Sequence, residues 1–182
     1  AEAHTGKPLR HLMEAGPLEA LRAQRVAPYA VLAHAVGVFR AWRAAGLRPR
    51  AAAGHSMGFY SALVAAEVMP LEAAFQLFDA VEDLAETAFA ATPMGMAFII
   101  GVDEAELAEA LRPHPELARS NRNGRAQFTV SGPRAALEPL VAALAPVALK
   151  VGLLPVRHPL HGPAMAPLVP EVTRRLSHVV PA

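Results

Sequence analysis

Cysteine is absent from the 182-residue chain. Without a thiol there is no disulfide, no Cys-ligated zinc or iron–sulfur cluster and no thiolate nucleophile. The expected location is the cytoplasm. An excess of one charge sign is missing too: 17 Lys and Arg face 16 Asp and Glu, for a net charge of +1. That excludes a broad basic footprint, so nucleic acid is not an expected partner and only local patches remain. Lysine is scarce, with Lys7 and Lys150 as its two examples. Arginine therefore carries nearly all the positive charge, a compositional bias without functional meaning. No apolar run is long enough to cross a bilayer. The best, Val26 to Phe39, is interrupted by Pro28, His34 and Gly37. The opening Ala-Glu-Ala-His has neither the basic nor the apolar region of a signal peptide. No membrane partner is expected.

Apolar residues are 53% of the chain and charged residues 18%, enough apolar material for a sizeable core. The length suits one domain, or one domain with a small inserted lobe. Residues 5–25 predict a loop and a short amphipathic helix carrying Leu9, Leu12, Met13, Leu18 and Leu21. Pro28 predicts the first turn of a longer helix to about Ala45, with Val31, Leu32, Ala35, Val38, Phe39 and Trp42 inward and Gly46 as its stop. A short strand over Ala51–Ala53 should run into a glycine turn and a helix from about Gly58 to Val68. Pro70 opens another helix to about Ala91, with Leu71, Ala74, Phe75, Phe78, Val81 and Leu84 on its inner side.

After Pro93 the pattern changes. Strands are predicted over 96–101, 117–123, 127–132 and 148–156, with helices from Glu104 to Leu111, N-capped by Asp103, and from Pro133 to Ala145. The order β-α-β-β-α-β is the ferredoxin-like pattern. The remainder reads as helices around a parallel strand, so the fold class is α/β.

Gly54-His55-Ser56-Met57-Gly58 fits G-x-S-x-G, the nucleophile elbow. A serine on a sharp strand-to-helix turn is exposed to substrate, and flanking glycines remove Cβ atoms that would clash there. The next backbone N–H, that of Met57, can then stabilise an oxyanion with help from the helix N-terminus. A bland reading makes Ser56 only an N-cap. A nucleophilic serine also needs a base. Of eight histidines, His4 and His178 lie near the ends, where exposure is expected, and His11 and His34 fall in helices. His55 would support the turn, and His114 lies between prolines. His158 and His161 remain, after a strand and before a helix, where α/β folds bind ligands. His161 is the better of the two; the competing reading makes it a structural histidine. Asp79, Asp83 and Asp103 are the only aspartates, and none falls between Ser56 and the His block in an obvious elbow. A dyad whose His is oriented by a backbone carbonyl would serve equally.

Together these residues resemble the malonyl-CoA:acyl carrier protein transacylase family, the acyltransferases of fatty-acid and polyketide synthesis. Leu12-Met13 to Pro17-Leu18 resembles the segment before the family's long helix. Gly54 to Leu63 resembles its G-H-S-x-G-E-Y-S-A-L block, and Gly95 to Gly101 the start of its inserted lobe. Asn121, Asn123, Gln127 and Val130-Ser131-Gly132 resemble its N-x-N … Q-x-V-x-S-G run. Pro159 to Met165 resembles its P-F-H-S-P-L-M block. The resemblance covers essentially the whole chain. It implies a hydrolase-like parallel-sheet core with helices on its faces, over 1–92 and 152–182, and an inserted ferredoxin-like small subdomain over 93–151. It implies Ser56 as the acyl-accepting nucleophile, His161 as its base and Met57 N–H as an oxyanion donor. The substrate would be an acyl-CoA and the partner an acyl carrier protein, with no cofactor and no metal.

Three departures carry information. The family's opening F-P-G-Q-G-S-Q segment, whose Gln helps form the oxyanion site, has no counterpart here, and the family continues well past the His block. A fragment, a partly recorded protein or a reduced homologue is therefore expected. Malonyl-transferring members carry an Arg on the helix after the elbow helix; ungapped alignment puts Val81 there, followed by Glu82 and Asp83. Valine cannot replace a bidentate, charge-assisted partner for a carboxylate, so an uncharged acyl group or lost activity is expected. Against this, His158-Pro159-Leu160-His161 partly resembles the H-A-F-H tetrad of malonyl-selecting domains, which makes His158 an acyl-binding candidate beside Val81. Phe59 replaces the family's usual Glu. The competing readings are a serine thioesterase or esterase, which must admit water to its acyl-enzyme, and a non-catalytic paralogue or fragment. Arg119, Arg122 and Arg125 could meet an acidic carrier protein, or simply form a solvated loop.

Overall fold

A computed structural model describes residues 1–22 and 25–177. His178 lies outside the described residues. The chain divides into two compact units, residues 1–80 with 175–182 and residues 81–174, each described by itself.

The first unit is helical. In place of a loop and one short helix over 5–25 it has three short helices: α1 (Glu2–Thr5), α2 (Leu9–Ala15) and α3 (Leu18–Arg22). The breaks fall at Gly6 and Gly16, both at positive φ, and at Pro8 and Pro17, which lack the donor a continuing helix needs. The long helix α4 (Ala27–Ala44) carries Pro28 in its first turn, where the missing N–H costs nothing. Its buried residues are Tyr29, Ala30, Leu32 and Val36. The predicted inner face was therefore rotated: Val31, Val38 and Trp42 are exposed. The core is built on Tyr29, Leu32, Val36, Phe75 and Phe78, joined by Leu9 and Met69. Tyr29 meets Phe75 at 5.5 Å and Phe78 at 5.3 Å between ring centroids. Such aromatic pairs add about 0.5–1.5 kcal/mol beyond the area they bury. Asp79 accepts a hydrogen bond from Tyr29 Oη and pairs with His4 Nε2 at 2.7 Å.

The strand expected over Ala51–Ala53 is not formed. Residues 51–54 are exposed and join no ladder among the described residues. A strand exists only where a neighbour satisfies its backbone groups. Helix α5 (Met57–Ala65) follows, and then α6 (Leu71–Ala88), which begins after Pro70 as predicted.

The second unit holds β1 (Met94–Ile100), α7 (Glu104–Leu111), β2 (Ala118–Gly124), β3 (Gln127–Pro133), α8 (Arg134–Leu144) and β4 (Lys150–Leu153). The sheet order is β2-β3-β1-β4 and every ladder is antiparallel. Strand β4 is shorter than its predicted span. Register pairs Ala97 with Val130 and Ile99 with Phe128. These four are fully buried, with Leu107, Leu137 and Leu140 packed against them. Burying each large side chain of this kind stabilises by roughly 1.5–3 kcal/mol. Asp103 caps α7 with a complete capping box: its carboxylate accepts from the backbone N–H groups of Ala105 and Glu106, and Glu106 reaches back to the Asp103 N–H. After β4 come a loop, a 3-10 turn over Pro163–Leu168 and helix α9 (Val169–Leu176). The chain is thus α/β, helices with a small antiparallel sheet.

Candidate active site

Ser56 sits immediately before α5 with φ 51° and ψ −118°. An L-residue avoids this region, at a cost of about 1–3 kcal/mol, and it persists only where the surroundings impose it. Two backbone hydrogen bonds close the turn, Gly58 N–H to His55 O and Phe59 N–H to Ser56 O, both 2.9 Å. Gly54 is what permits it. A Cβ there would lie 1.9 Å from the Gly58 carbonyl oxygen and 2.4 Å from Phe59 N. The chain entering the turn therefore rests directly on the backbone leaving it. Gly58 differs from its expected role, since a Cβ there would meet nothing within 4 Å. Only one of the two motif glycines is required by space. Ser56 is exposed. Met57 is the first residue of α5, where backbone N–H groups point out of the helix and the dipole is positive. That combination presents a hydroxyl beside an anion-stabilising amide.

His161 lies in the second unit, in the loop between β4 and the 3-10 turn. It is exposed and at φ 60°, one of four non-glycine residues with positive φ among those described, Ser56 being another. The loop is held on both sides of it. Upstream, Pro159 is fully buried and His158 is 6% exposed. Downstream, Gly162 is seated so tightly that a Cβ would come 2.1 Å from Ser131 Oγ. Ser131 belongs to β3 and is 2% exposed. Gly162 N–H donates to Pro159 O at 3.1 Å, and Met165 N–H to Gly162 O at 3.0 Å.

Val81 is half-buried on α6. His158 is buried, and its Nε2 stands 3.4 Å from Glu82 Oε2. Its ring also faces that of Phe89 at 6.5 Å. Glu82, 6% exposed, is the residue the sequence reading missed. The signal was present: buried Phe75, Phe78, Glu82 and Ala85 follow the helical spacing, whereas the predicted Val81 and Leu84 are half-buried. A carboxylate in that series calls for a buried partner. Ser56 and Met57 thus lie together in the first unit, and His158, His161 and Val81 in the second.

Arg119 and Arg122 are both turned onto Glu104. The hydrogen bond from Arg119, then the charges of Arg122 and Arg119, hold the Glu104 carboxyl below its usual range. A depressed carboxyl contributes stability present above its unfolded pKa and lost as pH falls through the folded value, an effect kept small here by solvent screening. NMR titration of the Glu104 carboxyl carbon should give a midpoint below that of a free glutamate. Arg119→Ala should move it back up. Among the described residues no group of three or more His, Asp or Glu could hold a metal ion. No described helix is long and apolar enough to cross a membrane.

Solved structures of similar chains match the fold. An acyl carrier protein S-malonyltransferase from Vibrio cholerae is 30% identical with a TM-score of 0.81, over 98% of this chain and 60% of that one. A malonyl-CoA:acyl carrier protein transacylase from Xanthomonas oryzae is 30% identical with a TM-score of 0.84, over 98% of this chain and 59% of that one. A malonyl-transacylase solved in complex with its type II PKS acyl-carrier protein is 29% identical with a TM-score of 0.84, over 98% and 60%. The chain therefore spans about 60% of the length of these proteins. It matches no curated protein. The acyl transferase domain family matches residues 2–182, and the chain belongs to that family.

Proposed function

We propose that the protein moves an acyl group from coenzyme A to the phosphopantetheine thiol of an acyl carrier protein, through an ester on Ser56. The observation that carries this reading is the strained turn presenting Ser56 at the start of α5, with Gly54 packed on the Gly58 backbone. Ser56 Oγ attacks the thioester carbonyl as His161 takes its proton. The tetrahedral oxyanion is stabilised by the Met57 N–H. The carbon–sulfur bond then breaks, and the coenzyme A thiolate leaves with the proton held by His161. The carrier-protein thiol next gives its proton to His161 and attacks the ester, and Ser56 recovers that proton as it leaves.

The proposed architecture is a hydrolase-like parallel-sheet core with helices on its faces over 1–92 and 152–182, with an inserted ferredoxin-like lobe over 93–151. The strand order β2-β3-β1-β4 with two helices supports the lobe. Val81 and His158 are proposed to border the acyl group. Valine offers a carboxylate no partner, and buried Glu82 follows it directly. An uncharged acyl group is therefore favoured over malonyl, the group named for the similar structures. Restoring the cation in Val81→Arg should raise the ratio of malonyl to acetyl loading by roughly tenfold, the worth of a charge-assisted hydrogen bond of about 1.5 kcal/mol. Competition between the two donors, read by mass, checks it; an unchanged ratio removes Val81 from the acyl site.

Intact mass spectrometry after brief incubation with malonyl-, acetyl- and longer acyl-CoA tests the reaction. A covalent acyl adduct that a holo carrier protein discharges supports transferase action. An adduct discharged equally fast by water supports a hydrolase. No adduct from folded protein overturns both.

A further inference from the structure

We infer that Glu82 is a positioning residue: its buried carboxylate, through His158, holds the loop that presents His161. The role given to His161 rests on the acyl-transfer reading above; the strut does not.

Glu82 and His158 are each 6% exposed, and their side chains meet at 3.4 Å. A buried carboxylate and a buried imidazole are each costly alone, so the geometry that joins them is enforced. His158 stands three residues before His161, and the intervening Pro159 is fully buried with a ring-fixed φ. Beyond His161 the chain is clamped again where Gly162 meets Ser131. His161 is thus an exposed, positive-φ residue suspended between two buried anchors, one a polar pair reaching back to α6 and the other a backbone seat on β3. A histidine in an unfavoured backbone region stays there only if both ends are held. A shift at the Glu82 anchor therefore passes to the imidazole, and misplacing a base by about 1 Å costs roughly 100-fold in rate.

The role is geometric, and this sets the test. Glu82→Gln keeps the length and a hydrogen-bonding group toward His158. Glu82→Asp keeps the charge but withdraws it by one methylene. In the whole protein, kcat per folded molecule should stay within about threefold of wild type for Glu82→Gln, and fall roughly 10- to 100-fold for Glu82→Asp. The KM for the acyl donor should change little in either. Combining Glu82→Asp with His158→Gln should cost less than the two single losses added together, since the two residues share a contact. Hydrogen exchange over residues 158–165 should quicken in Glu82→Asp and not in Glu82→Gln. The inference is overturned if Glu82→Asp matches wild type in kcat and exchange, if Glu82→Gln is the worse variant, if the losses add, or if the change lies in KM. If wild type forms no Ser56-dependent adduct, the acyl-transfer reading fails. The exchange arm then still decides whether Glu82 holds this loop.

Discussion

Ser56→Ala is expected to abolish the acyl adduct from every donor and to lower transfer to the carrier protein by roughly 10⁴-fold or more. Losing a nucleophile removes the covalent route altogether, and what remains is the small acceleration from binding and oxyanion stabilisation. The fold should be indifferent to the change. Ser56 is exposed, and alanine at φ 51° carries the same backbone cost as serine. Its stability should stay within about 0.5 kcal/mol of wild type, the usual range for a surface substitution. Intact mass and thermal unfolding on one sample decide the matter. A persisting adduct at full strength would move the nucleophile elsewhere; lost activity with lost folding would make Ser56 structural.

The two glycines of the same motif should part company. Gly54→Ala places a methyl 1.9 Å from the Gly58 oxygen and 2.4 Å from Phe59 N, so backbone must move. The expected loss is about 3 kcal/mol or more, as for overpacking in a site that cannot relax. Acylation should vanish even in the fraction that folds. Gly58→Ala meets open space within α5. Alanine there should be neutral or stabilise by up to about 1 kcal/mol, the helix preference of alanine over glycine. Denaturant unfolding of the pair, side by side, checks both. Equal losses would mean that the turn is not built as described.

That contrast also marks where residue order was enough. G-x-S-x-G names a turn, and the helix after it forms as the pattern requires, because the glycines and the following apolar residues act locally. Which glycine is obligatory depends on how two backbone segments cross, and a pentapeptide does not carry that. The β-α-β-β-α-β run was legible because Phe128 and Val130 alternate, Asp103 caps, and Pro93 and Pro133 punctuate. Helix α4 was misjudged for the opposite reason. Apolar residues surround most of it, so periodicity could not choose between the face of Tyr29, Leu32 and Val36 and that of Val31, Val38 and Trp42. Glu82 was named only as the residue that follows Val81, although its helical spacing put it among buried neighbours. His158 was singled out for substrate, and the structure adds a buried carboxylate beside it.

The placement of β1 bears on how the second unit is made. That strand lies between β3 and β4, yet its second neighbour arrives only at Lys150, some fifty residues later. Until then the middle of the sheet is a rim, with the hydrogen-bonding groups of residues 97–100 open to any extended chain. The closing strand is four residues long. Newly synthesised protein thus depends on a brief, late pairing to cover the open side of β1, and that pairing is the natural place for the sheet to unzip first under heat or force.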